Sequence, residues 1–263
     1  MAEKGFESGL KKILADKTSG SADLLLALNK LFQKFYATID NPTPVINRLL
    51  IEFRSFRNIQ SYLHELRSIE RENLSPKHFF ELYNVRLKNL NSRMLKRALP
   101  YLADKKRILT LSNSSTVFEI IKHFFAGNKN IIVTVCESRP EFEGRILAKK
   151  LAREKIKVRL ITEAMLAKYI SDCDCVLVGA DAILKNNDAV NKVGSYQAAI
   201  LCEYFRKPFF VLANKTKFSR DNILRQKVES KNEIWNNKPP GISIDNFYFE
   251  AIPKQLITKI ITD

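Results

Sequence analysis

The sequence feature that most constrains the fold is a regular alternation of short apolar runs with helical patterns after residue 107. Five runs have the length and β-branched content of strands buried on both faces. They lie at 107–112, 130–136, 157–162, 175–178 and 209–212. Segments with helical apolar spacing lie between them, at 114–125, 141–155, 163–170 and 190–205. This alternation predicts an α/β fold with helices covering a Rossmann-like, mostly parallel sheet.

The first hundred residues have a different pattern. Helical spacing dominates them, over 1–15, from 22 onward, over 45–69 and over 75–99, and no strand pattern precedes Arg107. Prolines interrupt the helices at 42 and 44, and Pro100 closes the region. We therefore predict an all-helical N-terminal domain over 1–100 and an α/β ligand-binding domain over 101–263. After an irregular polar stretch, we predict an extended segment over 246–252 and a final helix over 253–260.

Composition narrows the classes of protein that fit. The 263-residue chain has no run of 18 apolar residues and begins without an apolar signal core, so we expect neither a membrane span nor a secretory leader. Its four cysteines, at 136, 173, 175 and 202, lie in or beside predicted elements, and its three histidines are scattered. We interpret the cysteines as reduced core thiols of a cytoplasmic protein that has no metal site and no cofactor.

The charge balance is unusual, because 44 basic residues against 28 acidic ones give a net charge of +16. Such an excess fits an anionic partner, either nucleic acid or phosphorylated small molecules. It also fits solvated charge spread over the whole surface. The basic residues are dispersed and no named nucleic-acid motif is present, so we favour dispersed charge and regard nucleic acid as a less favoured partner.

Polar side chains follow four predicted strands at the point where each strand ends. The four segments are 110–115, 136–145, 179–181 and 213–218. Because open α/β sheets bind ligands at this edge, we expect the segments to form one site. Asp181 with Asn191 and Lys192 suits a small anionic ligand, and Arg139 and Arg145 suit its phosphate. Surface ion pairing is the alternative interpretation of both arginines.

A further phosphate site is suggested near the N-terminus. Ser19, Gly20 and Ser21 open an apolar helix, as small and hydroxyl-bearing residues at a helix cap commonly do. The free N–H groups and dipole of a helix N-terminus also suit a phosphate. From the residues alone, an ordinary cap and a phosphate-binding turn are both compatible with this segment.

Three ordered motifs make the sequence resemble a known family. They are Glu137-Ser-Arg-Pro-x-Phe-x-Gly-Arg, Val178-Gly-Ala-Asp and Asn191-Lys-Val-Gly-Ser-Tyr-Gln. The family unites the α, β and δ subunits of eukaryotic initiation factor 2B with methylthioribose-1-phosphate isomerase and ribose-1,5-bisphosphate isomerase. The resemblance implies that 18–21 is a phosphate-binding turn, and that Asn113, Ser114 and Lys217 belong to the same ligand site. It also implies a homodimer built through the α/β domain.

The chain departs from the resemblance at one position. Isomerases of this family have a catalytic cysteine in the turn after the first strand, where this chain has Ser112. Their second catalytic residue is an aspartate, which this chain retains as Asp181. A thiol of pKa about 8.5 exchanges protons near neutral pH, whereas a serine hydroxyl needs an activating base. The four ligand segments contain no histidine to act as that base.

Three functions are compatible with the sequence and with the resemblance to this family. The first is a protein that binds a phosphorylated pentose and has weak or lost isomerase activity. The second is an active aldose–ketose isomerase acting on methylthioribose-1-phosphate or ribose-1,5-bisphosphate. The third is a regulatory or RNA-associated protein of translation initiation. The resemblance implies that regulatory subunits usually replace the aspartate, so Asp181 argues against a purely regulatory subunit. Ser112 argues against an ordinary isomerase, and we therefore rank the three in this order.

Overall fold

The computed structural model of the protein describes residues 2–69 and 74–263, with side chains described from Lys4 onward. Met1, the start of the first predicted helix, lies outside the described residues. The helices are α1 (Ala2–Ala15), α2 (Ser21–Phe35), α3 (Thr43–Glu52), α4 (Arg57–Ser68), α5 (Pro76–Leu102), α6 (Ser115–Gly127), α7 (Glu143–Arg153), α8 (Leu166–Asp172) and α9 (Ser195–Tyr204). The strands are β1 (Arg107–Thr110), β2 (Ile132–Cys136), β3 (Lys157–Ile161), β4 (Cys175–Gly179), β5 (Ala182–Ile183), β6 (Ala189–Lys192), β7 (Phe209–Leu212), β8 (Phe249–Ile252) and β9 (Lys259–Ile261).

Six of these strands form one parallel sheet, in the order β3-β2-β1-β4-β7-β9. Adjacent strands are in parallel register throughout, with Ile108 opposite both Val133 and Cys175. This confirms the predicted α/β fold with a mostly parallel sheet and a helical N-terminal region. From β1 the chain adds β2 and then β3 on one side, and from β4 it adds β7 and then β9 on the other side. The boundary between these two strands is therefore the topological switch point, where open α/β sheets bind ligands.

The predicted helix over 190–205 is wrong in its first part. Ala189–Lys192 is strand β6, which pairs antiparallel with β5 on one side and β8 on the other. Gly194, at a φ of +96°, ends the strand and turns the chain into α9. A short apolar run fits either structure, and the pairing partner Phe249–Ile252 lies almost sixty residues away along the chain. Asn191 and Lys192 are therefore on a strand.

The predicted final helix over 253–260 is also wrong. Pro253 precedes a single 3₁₀ turn, Lys254–Leu256, and the chain then forms β9 parallel to β7. The β-branched residues Ile257, Ile260 and Ile261 pack against the sheet core, which favours a strand over a helix. Local spacing missed the sixth strand because its partner is about fifty residues earlier in the chain.

The long helix predicted over 45–69 is two helices, α3 and α4, separated by a turn at 53–56. Gln60 stabilises this turn, because its Nε2 donates to the carbonyl oxygens of Leu50 and Phe53 at 2.9 and 3.1 Å. Helix α5 continues through Pro100 to Leu102 rather than ending before it.

Helix α5 connects two hydrophobic cores. Phe80 and Tyr83 near its start pack among α1–α4, whereas Met94, Ala98 and Leu102 near its end pack among the strands and helices of the α/β part. The division into domains at residue 100 stays a prediction, since one continuous helix contributes to both cores.

Candidate functional site

A narrow polar cleft lies over the switch point, between the helical N-terminal region and the carboxyl edge of the sheet. The start of α2, the turn between β1 and α6, the end of β4, the end of β6 and the turn after β7 all line it. Its lining includes Ser19, Gly20, Ser21, Ser112, Asn113, Ser114, Asp181, Asn191, Lys192 and Lys217. The fold thus brings together ten of the twelve residues that the sequence analysis selected.

Two helix N-termini face the cleft. Helix α2 begins after Gly20, which provides no side-chain cap, and helix α6 begins after Ser114, whose Oγ accepts a hydrogen bond from the Val117 N–H at 3.3 Å. The first backbone N–H groups of both helices therefore lie at the cleft. Each helix dipole is positive at this end, so the backbone favours an anion.

The two helix-opening turns are held against each other by Asn113. Its Nδ2 donates to the Thr18 carbonyl at 3.0 Å, and its Oδ1 accepts from Lys150 Nζ at 3.2 Å. A Cβ on Gly20 would be only 3.0 Å from the Asn113 carbonyl oxygen, so a larger residue at 20 would push the turns apart. Asn113 is therefore a bridge between the helical region and the sheet as well as a lining residue.

Ser112 lies just beyond the end of β1 in a left-handed conformation, at a φ of 64°. Its N–H donates to Ser138 Oγ at 2.7 Å, and the Ser138 N–H donates to Glu163 Oε1 at 2.7 Å. These bonds fix the backbone that presents the Ser112 side chain. The chain's three histidines, His64, His78 and His123, all lie outside the cleft lining, so none is placed to activate the hydroxyl.

Asp181 and Lys217 are two buried charged residues that line the same cleft as Ser112. Their exposed fractions are 8% and 5%, and Lys217 Nζ donates to the Ala180 carbonyl. Burial lowers the pKa of Lys217, and the negative charges of Asp181 and Asp23 oppose this shift. A buried lysine whose pKa is lowered can bind an anion and can also exchange a proton.

Lys192 is paired before any ligand arrives. Its Nζ lies 2.7 Å from Glu143 Oε1, and it also lies 4.2 Å from the ring centroid of Tyr248. Glu143 is almost fully buried in the first turn of α7, which approaches β2 so closely that a Cβ on Gly144 would lie 1.7 Å from the Cys136 carbonyl oxygen. Sequence reasoning missed Glu143, whose only signal was its place beside the motif glycine.

Arg139 and Arg145 are not part of the cleft lining. Arg145 pairs with Glu137 Oε2 at 2.7 Å and lies 3.9 Å from the ring centroid of Phe142. Arg139 donates to the Ile234 carbonyl at 3.2 Å and stacks on the same ring from 4.8 Å. Both side chains are exposed. Their geometry agrees with the alternative interpretation of surface contacts, and the phosphate-binding role stays a prediction.

The cleft has balanced side-chain charge and little free volume. Two ammonium groups, on Lys192 and Lys217, face two carboxylates, on Glu143 and Asp181. The volume is about 30 Å³, enough for about one or two water molecules. A sugar phosphate therefore needs the Lys192–Glu143 pair to rearrange, or the two sides of the cleft to separate.

The cysteines lie away from this chemistry. All four are buried, and burial raises the pKa of Cys136 to about 12 and that of Cys173 to about 11. None of the four cysteines lines the cleft, so no thiolate is present there to take the place of the cysteine that Ser112 replaces.

No group of three or more His, Cys, Asp or Glu residues in 2–69 and 74–263 is arranged to hold a metal ion. No helix in the same ranges combines the length and apolarity needed to cross a lipid bilayer.

A parallel six-stranded sheet with a polar cleft at its switch point, covered by a helical N-terminal region, defines a class of α/β proteins with a small-ligand site. Within this class, the chain belongs to the initiation factor 2 subunit family, since the family model IF-2B matches residues 6–263. The resemblance seen in the motifs is thereby confirmed.

Individual relatives come from different branches of the family. Ribose 1,5-bisphosphate isomerase of Archaeoglobus fulgidus is 32% identical over 166 residues, which is 61% of this chain and 53% of that protein. Translation initiation factor eIF2B subunit alpha of Dictyostelium discoideum is 33% identical over 177 residues, 62% of this chain and 55% of that protein. The chain spans about half the length of the curated relatives it matches.

Structural similarity extends over nearly the whole chain. The crystal structure of 5-methylthioribose 1-phosphate isomerase from Pyrococcus horikoshii OT3 superimposes with a TM-score of 0.77 at 18% identity. The superposition covers 98% of this chain and 82% of that one. At this identity the match establishes the fold alone.

Proposed function

We propose that the protein binds a phosphorylated pentose in the cleft over the switch point and that its isomerase activity is weak or lost. The observation that carries this proposal is the convergence of two helix N-termini, Lys192 and Lys217 on the segment that contains Ser112. This set supplies donors and positive charge for a phosphate and leaves Asp181 beside the sugar. The relative named ribose 1,5-bisphosphate isomerase supports a substrate of this class.

The expected loss of catalysis follows from acid–base chemistry. Interconverting an aldose and a ketose moves a proton or hydride between C1 and C2, and loss of one positioned acid–base group typically slows such a step by ~10²–10⁴-fold. Ser112 has no imidazole near it in the cleft, and the cysteines are buried with raised pKa values. Asp181 retains a role in orienting the sugar hydroxyls.

An active isomerase is the second candidate, and one observation favours it. Lys217 is buried, faces the charge of Asp181 and has a lowered pKa. In this arrangement Asp181 and Lys217 could share the proton transfer that a cysteine performs in the isomerases of the family. A cytoplasmic location fits either candidate and is proposed with them.

A ligand panel with matched variants tests the binding proposal. We expect ribose 5-phosphate or ribose 1,5-bisphosphate to raise the Tm, by an amount equivalent to about 2.7 kcal/mol at 100 times the Kd. Lys192→Met should remove the shift. Arg139→Ala should preserve it, because Arg139 lies outside the cleft lining.

Absence of any shift with pentose phosphates would remove both sugar-phosphate functions. A shift that is lost in Arg139→Ala and kept in Lys192→Met would place the ligand outside this cleft.

A further inference from the structure

A second pocket of about 310 Å³ lies between the helical region and the small antiparallel sheet. We call it the arginine pocket, since four arginines line it: Arg54 and Arg57 from the start of α4 and the turn before it, and Arg220 and Arg225 from the segment after β7. Gln60, His64 and Ser55 add neutral hydrogen-bonding groups to the lining. The pocket is therefore concave and rich in hydrogen-bond donors.

The charge of the arginine pocket is unbalanced. Asp221 contributes its one lining carboxylate among the residues that the structure describes. That carboxylate is neutralised by Arg225, with both guanidinium–carboxylate distances at 2.8 Å. Arg54, Arg57 and Arg220 have no carboxylate within 4.0 Å among the described ion pairs. The lining thus has an excess of three positive charges, unlike the balanced cleft.

Two of these guanidinium groups are already oriented by the backbone. Arg57 Nε donates to the Phe218 carbonyl at 3.3 Å, and Arg54 Nε donates to the Ile51 carbonyl at 3.0 Å. Each bond uses one N–H and leaves the terminal nitrogens for a ligand. A guanidinium fork matches two oxygens of a phosphate at once.

We propose that the arginine pocket is a second anion site, which binds the phosphate groups of a small phosphorylated molecule. Several guanidinium groups from two parts of the chain surround one concave space, which suits a compact phosphomonoester or diphosphate. An extended nucleic-acid backbone instead needs a groove or a long basic surface. The site lies outside the lining of the cleft and does not depend on the function proposed for it.

The arginine pocket is physically connected to the cleft. The Arg57 N–H donates to the Asp181 carbonyl at 3.2 Å, and Ala182 and Val190 line the pocket one residue from Asp181 and Asn191 of the cleft. The arginine pocket and the cleft are therefore adjacent and share the backbone around Asp181.

Calorimetric titration of the full chain with pyrophosphate tests this inference. We expect a pyrophosphate site that weakens at least tenfold in the double variant Arg54→Gln/Arg220→Gln. Arg153→Gln is the matched control, because Arg153 is an exposed arginine in the last turn of α7 and lies outside the lining of the arginine pocket. Lys192→Met tests the cleft separately and should leave the pyrophosphate site intact.

Three results would overturn the proposal. The first is an equal affinity for pyrophosphate in the double variant and in wild type. The second is a loss of affinity in Arg153→Gln as large as that in the double variant. The third is a loss of pyrophosphate binding in Lys192→Met alone. Thermal melts of each variant identify a failure to fold, in which case Arg54→Gln and Arg220→Gln are titrated singly. If pyrophosphate does not bind and a short RNA binds through Arg54 and Arg220, the ligand class assigned here is wrong.

Discussion

The buried Lys192–Glu143 pair controls the electrostatics of the cleft. Without Glu143, the two lysines of the cleft would exceed its carboxylates by one charge. With it, an incoming phosphate has to compete for an ammonium group that is already paired at 2.7 Å. The pair therefore limits anion affinity and at the same time avoids an uncompensated buried charge.

Replacing Glu143 should separate these two effects. We expect Glu143→Gln to lower the free energy of unfolding by up to about 3 kcal/mol, because it leaves the partly buried Lys192 without its counter-charge. Phosphate affinity should rise about tenfold, which corresponds to about 1.4 kcal/mol. Chemical denaturation and phosphate titration measure the two quantities.

Glu137→Gln is the matched control for this prediction, since it removes a carboxylate that pairs with exposed Arg145 outside the cleft. Unchanged phosphate affinity in Glu143→Gln, or an equal rise in Glu137→Gln, would contradict the role assigned to the buried pair.

The sequence predicts which residues line the cleft where a polar side chain closely follows the end of a strand. Ser112, Asn113 and Asp181 follow strands directly, so the general rule about strand ends placed them correctly in one cleft. Arg139 and Arg145 follow a strand as well but do not line the cleft, because a long side chain can reach either toward the ligand or across the surface. Nothing in the sequence distinguished those directions, and the aromatic ring of Phe142 holds both side chains on the surface.

At the scale of elements, the turn before α2 determines how that helix presents its N-terminus. Asp16 Oδ1 accepts hydrogen bonds from the backbone N–H groups of Thr18 and Ser19 at 3.0 and 2.9 Å. Burial opposes ionisation, but the hydrogen bonds from Ser19 and Thr18 outweigh it, so the pKa of Asp16 lies below its ordinary value.

This arrangement predicts a pH-dependent contribution to stability. Because the pKa is lower in the folded than in the unfolded state, Asp16 stabilises the fold above its unfolded pKa, and the contribution disappears as pH falls through the folded one. Asp16→Ala should therefore lower the free energy of unfolding by about 1 kcal/mol at pH 7 and by less at pH 3.

Urea denaturation of wild type and Asp16→Ala at the two pH values tests this expectation. An equal difference at pH 3 and pH 7 would show that the charge of Asp16 does not contribute.

Element types were predictable where local and long-range preferences agree. Five of the parallel strands were predicted because their apolar runs are buried on both faces and lie between helical patterns. The sequence predicts helix at β6 and β9, because both strands are stabilised by partners that are distant along the chain. Strand β6 pairs with β8, and β9 pairs with β7. Non-local pairing of this kind leaves little trace in local spacing.

At the scale of the whole molecule, α9 presents an apolar stripe to solvent. Tyr196, Ile200 and Tyr204 follow one another at intervals of four residues and are 38%, 48% and 78% exposed. Residues at this spacing share one helix face. We propose that this face contributes to a homodimer built through the α/β part, since exposed apolar patches commonly mark interfaces.

Light scattering tests the homodimer directly. We expect a mass of about twice 30.3 kDa at micromolar concentration, and a shift toward the monomer in Ile200→Asp/Tyr204→Asp. Leu82→Asp is the control, because Leu82 is an exposed apolar residue on α5. A monomeric wild type, or dissociation caused equally by Leu82→Asp, would contradict this assignment.

At the scale of the whole molecule we propose that the cleft binds a phosphorylated pentose and that Ser112 limits its chemistry. The most direct measurement compares turnover of ribose 1,5-bisphosphate by wild type, Ser112→Cys and Ser112→Cys/Asp181→Asn. We expect very slow turnover in wild type, a gain in Ser112→Cys of up to ~10²-fold, and loss of that gain in the double variant. Ordinary turnover by wild type, or a Ser112→Cys protein that binds the ligand without any gain, would contradict the claim.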